Sequence, residues 1–394
     1  MKKQITIFLT IATAVAAVPF AASAAVSAAK APFYYGVWLP FWESQNGASD
    51  ISVNLDTLHE VSPFSYELGT NGGLIDDLKI GNGSWDAWFG AVRESGVKII
   101  PTIAWFDAGP IYNLLSNTKK RQAEENSIAA LVKAEKFDGI DIDFEGMTTS
   151  TKPYFSLFLE GLAMRLHPSG KTVACDITPR APLTSLYESN PLPVVQYSED
   201  YTAINAYCDD VRVMAYDQGT TDVQLDASKG NGTLYAPTAD PAWVEKVIKN
   251  TITQINPKKI MLGIPTYGYE YQVSWLLGAT TYQRVRSFTY FQAMDRADSL
   301  NLTPYRNNGD ELSFTFASTT HISVRPSLTA IVASTLPTAL ATIDPNASTT
   351  FFVSFSDASS TAGEIALAKK YGLRGAMLFK ADGDLDPATW GVMH

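Results

Sequence analysis

The chain has 394 residues, of which 46% are hydrophobic, enough for one large domain with an insertion and a substantial core. Its formal net charge of −10 argues against nucleic acid and anionic membrane surfaces as partners, and leaves a neutral or mixed-charge polysaccharide open. The 18 Tyr, 19 Phe and 8 Trp are a generous aromatic supply, most of it expected in the core, and sugar-stacking platforms draw on the same residues.

Lys2 and Lys3 open the chain, followed by an apolar run over 5–20 and then Ala22-Ser23-Ala24, which fits a small-residue cleavage site. This pattern predicts a signal peptide over 1–24. The expected product is secreted or held in the cell envelope, extracellular or periplasmic, with no membrane contact after cleavage. An uncleaved anchor is the alternative, because the apolar run approaches spanning length.

Beyond the leader, short apolar runs alternate with amphipathic stretches, the pattern of βα units around a parallel sheet. Strands are predicted at 34–38, 61–66, 98–103, 139–144, 172–177, 211–216, 259–265 and 375–379, and helices at 121–136, 153–166, 243–255 and 362–371. Eight such strands imply an α/β fold, a (β/α)8 TIM barrel. The interval between strands seven and eight is too long for one crossover. It is rich in Ser, Thr and Asn, with apolar runs at 314–316, 322–324 and 351–355, and reads as a small α+β insertion. The predicted organisation is a barrel over 33–271 and 355–394, with the insertion over 272–354. Cys175 and Cys208 can form one disulfide, but Cys175 reads equally well as an inert core thiol.

The fourth strand carries the chemistry. Residues 138–145 read Asp-Gly-Ile-Asp-Ile-Asp-Phe-Glu, so Asp141, Asp143 and Glu145 share one face of an extended strand while Ile140, Ile142 and Phe144 share the other. Three adjacent acids cannot all ionise freely, and at least one carboxyl is expected to hold its proton unusually well. A protonated carboxyl beside an ionised one is what acid/base chemistry on a sugar needs. A calcium loop would place polar residues and glycine between its acids, not Ile, Ile and Phe. A transition-metal site would want histidine, and the chain has four, none nearby. A plain solvated strand is the third alternative. Asp138 has the opposite parity and reads as structural. Downstream, Met214-Ala215-Tyr216-Asp217 ends strand six, about 70 residues on, which leaves room for two further βα units.

Asp138, Asp141, Asp143 and Glu145 match the Asp-x-x-Asp-x-Asp-x-Glu signature of glycoside hydrolase family 18, and Met214-Ala215-Tyr216-Asp217 resembles that family's Met-x-Tyr-Asp. The resemblance implies a chitinase or N-acetylglucosaminidase that uses substrate-assisted retention, an exception to the two-carboxylate scheme. It implies Glu145 as the acid and then the base, and Asp143 as the group orienting the acetamido arm. Asp141 would share a proton with Asp143, and Tyr216 would donate to the acetamido carbonyl. Asp217, Met214 and Phe379 are the implied substrate-binding residues, and Tyr267 and Tyr269 resemble family cleft residues but read equally well as packing. Trp38, Trp42 and Trp105, after strands one and three, are candidate stacking platforms, each of which also reads as a core residue. No metal or organic cofactor is implied, and the expected state is a monomer.

Two positions depart from the family pattern. Pro101-Thr102-Ile103-Ala104-Trp105 stands where many chitinases have Ser-x-Gly-Gly, and Phe379 stands where a tryptophan usually floors the central subsite. The segments 61–66, 351–358 and 367–375 are similar to spore-germination and cell-wall members of the family, which implies peptidoglycan slightly ahead of chitin as the N-acetylglucosamine-containing substrate. Three other readings remain at this stage: a sugar-binding relative without turnover, an endo-N-acetylglucosaminidase acting on glycoprotein glycans, and a glycosidase with a protein nucleophile. Arg180 reads as a surface ion pair or a sugar ligand.

Overall fold

The computed structural model describes residues 33–70, 72–276, 279–318 and 349–393. The leader and the apolar run at 322–324 lie outside the described residues.

Eight parallel strands close into a barrel: Tyr34–Pro40, Glu60–Leu68, Lys98–Ile99 continued by Thr102–Trp105, Gly139–Phe144, Thr172–Ile177, Asp210–Val213, Ile260–Pro265 and Gly375–Phe379. Closure is made by the first strand, which pairs with the second (Gly36 opposite Glu60) and with the last (Tyr34 opposite Gly375). Each strand is buried on both faces, which is why each reads in the sequence as an apolar run rather than a clean alternation.

Helices cover the outside. Thr118–Ala134 is capped by Asn117, whose side chain accepts from the Lys119 and Lys120 amides. It packs with Lys152–Leu166, and between them the buried Glu125 is held by Arg165 at 2.7 Å. Gly161 makes room for that carboxylate, since a Cβ there would come within 2.3 Å of it. Outward-facing Phe144 stacks on Phe158, with ring centroids 5.5 Å apart, and so ties the fourth strand to this layer. Cys175 and Cys208 form a disulfide that links strand five to the turn before strand six.

Between strands seven and eight the chain builds a five-stranded antiparallel sheet, ordered Ala279–Thr289, Tyr267–Leu276, Thr349–Phe355, Leu312–Ser318 and Tyr305–Arg306. Helix Tyr290–Ser299 begins with a capping box formed by Thr289 and Gln292. Phe288, Phe314, Val353 and Phe355 form this unit's own core. Only Thr266 separates the seventh barrel strand from the first strand of the insertion, and its hydroxyl donates to the Lys380 carbonyl at 2.7 Å. The insertion is therefore anchored at the mouth of the barrel. No helix among the described residues is long and apolar enough to cross a membrane.

Candidate active site

Alternation decides what the barrel interior contains. Asp141 and Asp143 point inward from strand four, Thr102 and Ala104 from strand three, Ala174 and Asp176 from strand five, and Asp210 and Arg212 from strand six. The interior is thus heavily charged, with Trp38, Phe64, Met261 and Met377 as its apolar fill. Arg212 is fully buried and bridges two acids, Asp141 at 2.5 Å and Glu60 at 3.1 Å.

At the C-terminal ends of the strands this interior opens into a cleft of about 1000 Å³, at the top of the range for small-ligand sites. Asp143 and Asp176 form part of its floor and Glu145 stands above them, half-buried. The Glu145 amide still donates to the Trp105 carbonyl at 2.9 Å, which holds the acid at the rim on regular strand geometry. Burial raises the Glu145 carboxyl above its ordinary range, reinforced by the charges of Glu199 and Asp217. Burial raises Asp143 further, with Glu145, Asp141 and Glu199 adding to the effect.

Tyr216 lies flat on Phe379, with ring centroids 5.3 Å apart and an interplanar angle of 15°. Gly263 permits this approach, because a Cβ there would stand 2.7 Å from the Val213 carbonyl and 3.1 Å from the Tyr216 ring. Asp217 adopts a left-handed conformation (φ 61°), which an Asp tolerates, and its Oδ1 accepts from Tyr267 Oη at 2.6 Å and Tyr269 Oη at 2.7 Å. Met214 lines the same wall.

The structure therefore gathers Asp143, Glu145, Met214, Tyr216, Asp217, Tyr267 and Phe379 at one cleft. Two expectations need correction. Trp105 is not a cleft residue: it has the outward parity of strand three, packs edge-on against Phe144 at 5.7 Å and sits in the main core, while the next residue, the half-exposed Phe106, lines the cleft. Trp38 reaches the cleft floor but is 1% exposed, and its Nε1 donates to Asp141 Oδ2 at 3.2 Å, so it braces an acid rather than offering a face. Asp141 turns Oδ2 to Arg212, Trp38 and Thr102, while its Oδ1 is buried with no hydrogen-bond donor among the described residues.

Arg180 is neither a surface ion pair nor a cleft residue. It is buried between the Tyr197 and Tyr201 rings and donates to Glu199 Oε2 at 3.0 Å. Sequence reasoning missed Asp176, Glu199 and Arg212. Asp176 left one signal, a lone acid at the end of an otherwise apolar strand. Among the described residues no group of three or more His, Cys, Asp or Glu side chains is arranged to hold a metal ion.

The model of glycosyl hydrolases family 18 matches residues 82–384. The chain is 25% identical over 218 residues to the sporulation-specific glycosylase YdhD of Bacillus subtilis, which covers 55% of this chain and 48% of that relative. The match thus spans about half the relative's length. Among solved structures, the Bacillus cereus spore cortex-lytic enzyme SleL superposes with a TM-score of 0.68 at 18% identity, covering 92% of this chain and 74% of SleL. A chitinase from Chromobacterium violaceum superposes with a TM-score of 0.67 at 17% identity, covering 92% and 98%.

Proposed function

From the chain's membership of the glycosyl hydrolases of family 18, we propose that it cleaves β-1,4-linked N-acetylglucosamine glycans by substrate-assisted retention, with peptidoglycan-type chains ahead of chitin. The observation that carries this reading is Glu145: a half-buried carboxyl with a raised affinity for its proton, on rigid strand geometry at the rim of a large cleft. Glu145 protonates the leaving glycosidic oxygen as the substrate's acetamido oxygen attacks the anomeric carbon. It then takes a proton from the water that opens the intermediate. Asp143, beneath it, receives the acetamido N–H and balances the positive charge. The Tyr216 hydroxyl donates to the acetamido oxygen, and the ring of Phe379 supports the sugar. The preference for peptidoglycan is favoured by the names of YdhD and SleL.

Export is part of the same proposal. It is supported by Lys2, Lys3 and the apolar run that ends near Ala22-Ser23-Ala24, and by a disulfide, which persists in oxidising compartments.

The test is hydrolysis of N-acetylglucosamine oligomers and purified peptidoglycan by the native protein and by Glu145→Gln. Cleavage that falls by roughly 100-fold or more in the variant, at unchanged thermal stability, is expected. Binding of these glycans by both proteins with cleavage by neither would replace the glycosidase reading with a sugar-binding one.

A further inference from the structure

Charge is unevenly spread over the cleft. Its wall carries eight Asp and Glu side chains and, among the described residues that line it, one cation, Lys380. An acidic cleft repels an anionic strand, so a carboxylated substrate needs a specific cation to offset that field.

Strand eight places Lys380 for this task. Lys380 follows Phe379, whose ring is the proposed sugar support, and strand eight lies across the closed barrel from strand four and Glu145. Its backbone is gripped by Thr266, whose hydroxyl donates to the Lys380 carbonyl at 2.7 Å and accepts from the Lys380 amide at 2.8 Å. The next residue, Ala381, donates its amide to the Trp38 carbonyl at 3.0 Å. The ammonium therefore hangs from a segment pinned to the ends of strands seven and one.

Lys380 Nζ lies 5.8 Å from the centroid of the Trp42 ring, and Asp382 takes one of its three donors. Asp382 is itself fixed by the Asp384 amide, which donates to its Oδ1 at 3.1 Å. Among the described residues no second acceptor meets Lys380 Nζ, and 15% of the side chain stays exposed. Another cation near this rim, Arg284, is outside the cleft lining: it stands over the Tyr269 ring at 3.6 Å and beside Asp217 at 3.9 Å.

We propose that Lys380 is a specificity-determining residue: it binds a free carboxylate on the sugar next to the one held on Phe379. The inference rests on the glycosidase reading above and narrows its substrate class. In a peptidoglycan strand N-acetylglucosamine alternates with a sugar carrying a lactyl group, so both neighbours of the sugar at Glu145 bring that group to the cleft. While the lactyl group is amide-linked to a peptide it is neutral, and the peptide's own carboxylates meet the acidic wall. When water hydrolyses the amide, its oxygen joins the lactyl carbonyl carbon, the C–N bond breaks, and the peptide leaves as an amine. A carboxylate then remains on the sugar, and it matches the single ammonium of the cleft. The reaction class that supplies this substrate is therefore amide hydrolysis, and the chain acts on strands already stripped of peptide.

The experiment uses peptidoglycan glycan strands in two forms: peptide-free with the lactyl carboxylates intact, and the same strands with those carboxyls reduced to alcohols. The native full chain is expected to show a kcat/KM roughly 10-fold higher on the carboxylate form, a preference that shrinks as salt rises. Lys380→Met is expected to abolish the preference and Lys380→Arg to retain it. Equal loss on both forms in Lys380→Met would give Lys380 a merely structural role through Asp382 and overturn the proposal. A native enzyme that does not distinguish the two forms would overturn it as well. So would faster cleavage of strands that still carry peptide, which would put the recognised charge on the peptide.

A binding measurement separates this outcome from the fate of the glycosidase reading. In Glu145→Gln, calorimetric titration with a muramic-acid-containing tetrasaccharide and with its reduced form is expected to give the same preference of roughly 10-fold, lost on adding Lys380→Met. That preference without cleavage by the native protein would sink the glycosidase reading and keep the carboxylate site; cleavage without the preference would do the reverse. If Lys380→Met does not fold, Lys380→Gln serves the same comparisons.

Discussion

Tyr216 is held by one face and one edge of its ring, and the proposed mechanism calls on its hydroxyl. One side lies on Phe379 and its edge meets Tyr267 at 6.3 Å, and burial among Asp176, Asp143 and Asp217 keeps the phenol protonated far above neutral pH. Tyr216→Phe is therefore expected to keep the stack and the fold while lowering kcat by roughly 100-fold, the usual loss for one donor aimed at a developing charge. Steady-state kinetics beside a melting curve checks both halves; undiminished kcat would remove the hydroxyl from the mechanism. At this scale the sequence spoke clearly where chemistry repeats locally. Asp141, Asp143 and Glu145 alternate within one strand, so their shared face follows from backbone geometry. The partnership of Asp141 with Arg212, Trp38 and Thr102 joins residues on different strands. Their juxtaposition depends on register across the closed barrel, which no spacing along the chain encodes.

The barrel strands were legible as elements because both faces are buried, and their boundaries were read to within a few residues. The third strand shows what such a reading loses. Its apolar run gives no visible alternation, so Trp105 could be counted as a rim residue when its parity turns it outward into the helical layer. Trp105→Ala is accordingly expected to lower the unfolding free energy by about 3–5 kcal/mol in a urea titration, with KM for oligomers nearly unchanged. Trp42, half-exposed at the cleft, should behave in the opposite way: Trp42→Ala raises KM for long oligomers several-fold and leaves the urea midpoint in place. The pair of variants separates core from platform, and identical behaviour would refute the assignment. The insertion was recognisable as an interruption of the βα rhythm, but its sheet was not, because its strands pair in an order unrelated to their order in the chain.

Across the whole molecule, buried acids set the response to pH. Glu311, at the seam between the insertion and the barrel, accepts from the Thr238 and Ala239 amides, both at 2.8 Å, and from Ser354 Oγ at 2.6 Å. Burial nevertheless raises it from an ordinary 4.5 to about 7, and burial raises Glu364, Asp143 and Asp176 as well. Groups whose folded affinity for protons exceeds the unfolded one add stability at low pH and lose it as pH rises through their folded range. Between about pH 4.5 and pH 7 the fold should therefore weaken, by an amount on the order of a few kcal/mol. Glu311→Gln, whose amide oxygen can still accept both backbone amides, is expected to flatten this slope. Urea titrations at pH 5 and pH 8 decide it; equal slopes for the two proteins would refute the assignment. The seam has a further consequence. The first strand of the insertion carries Tyr267 and Tyr269, both of which hold Asp217, and it begins one residue after barrel strand seven. The insertion is therefore not a detachable cassette. Grafting it from a relative would replace part of the cleft wall, so variation in this subdomain among related barrels would be constrained at its root and free only toward its far edge.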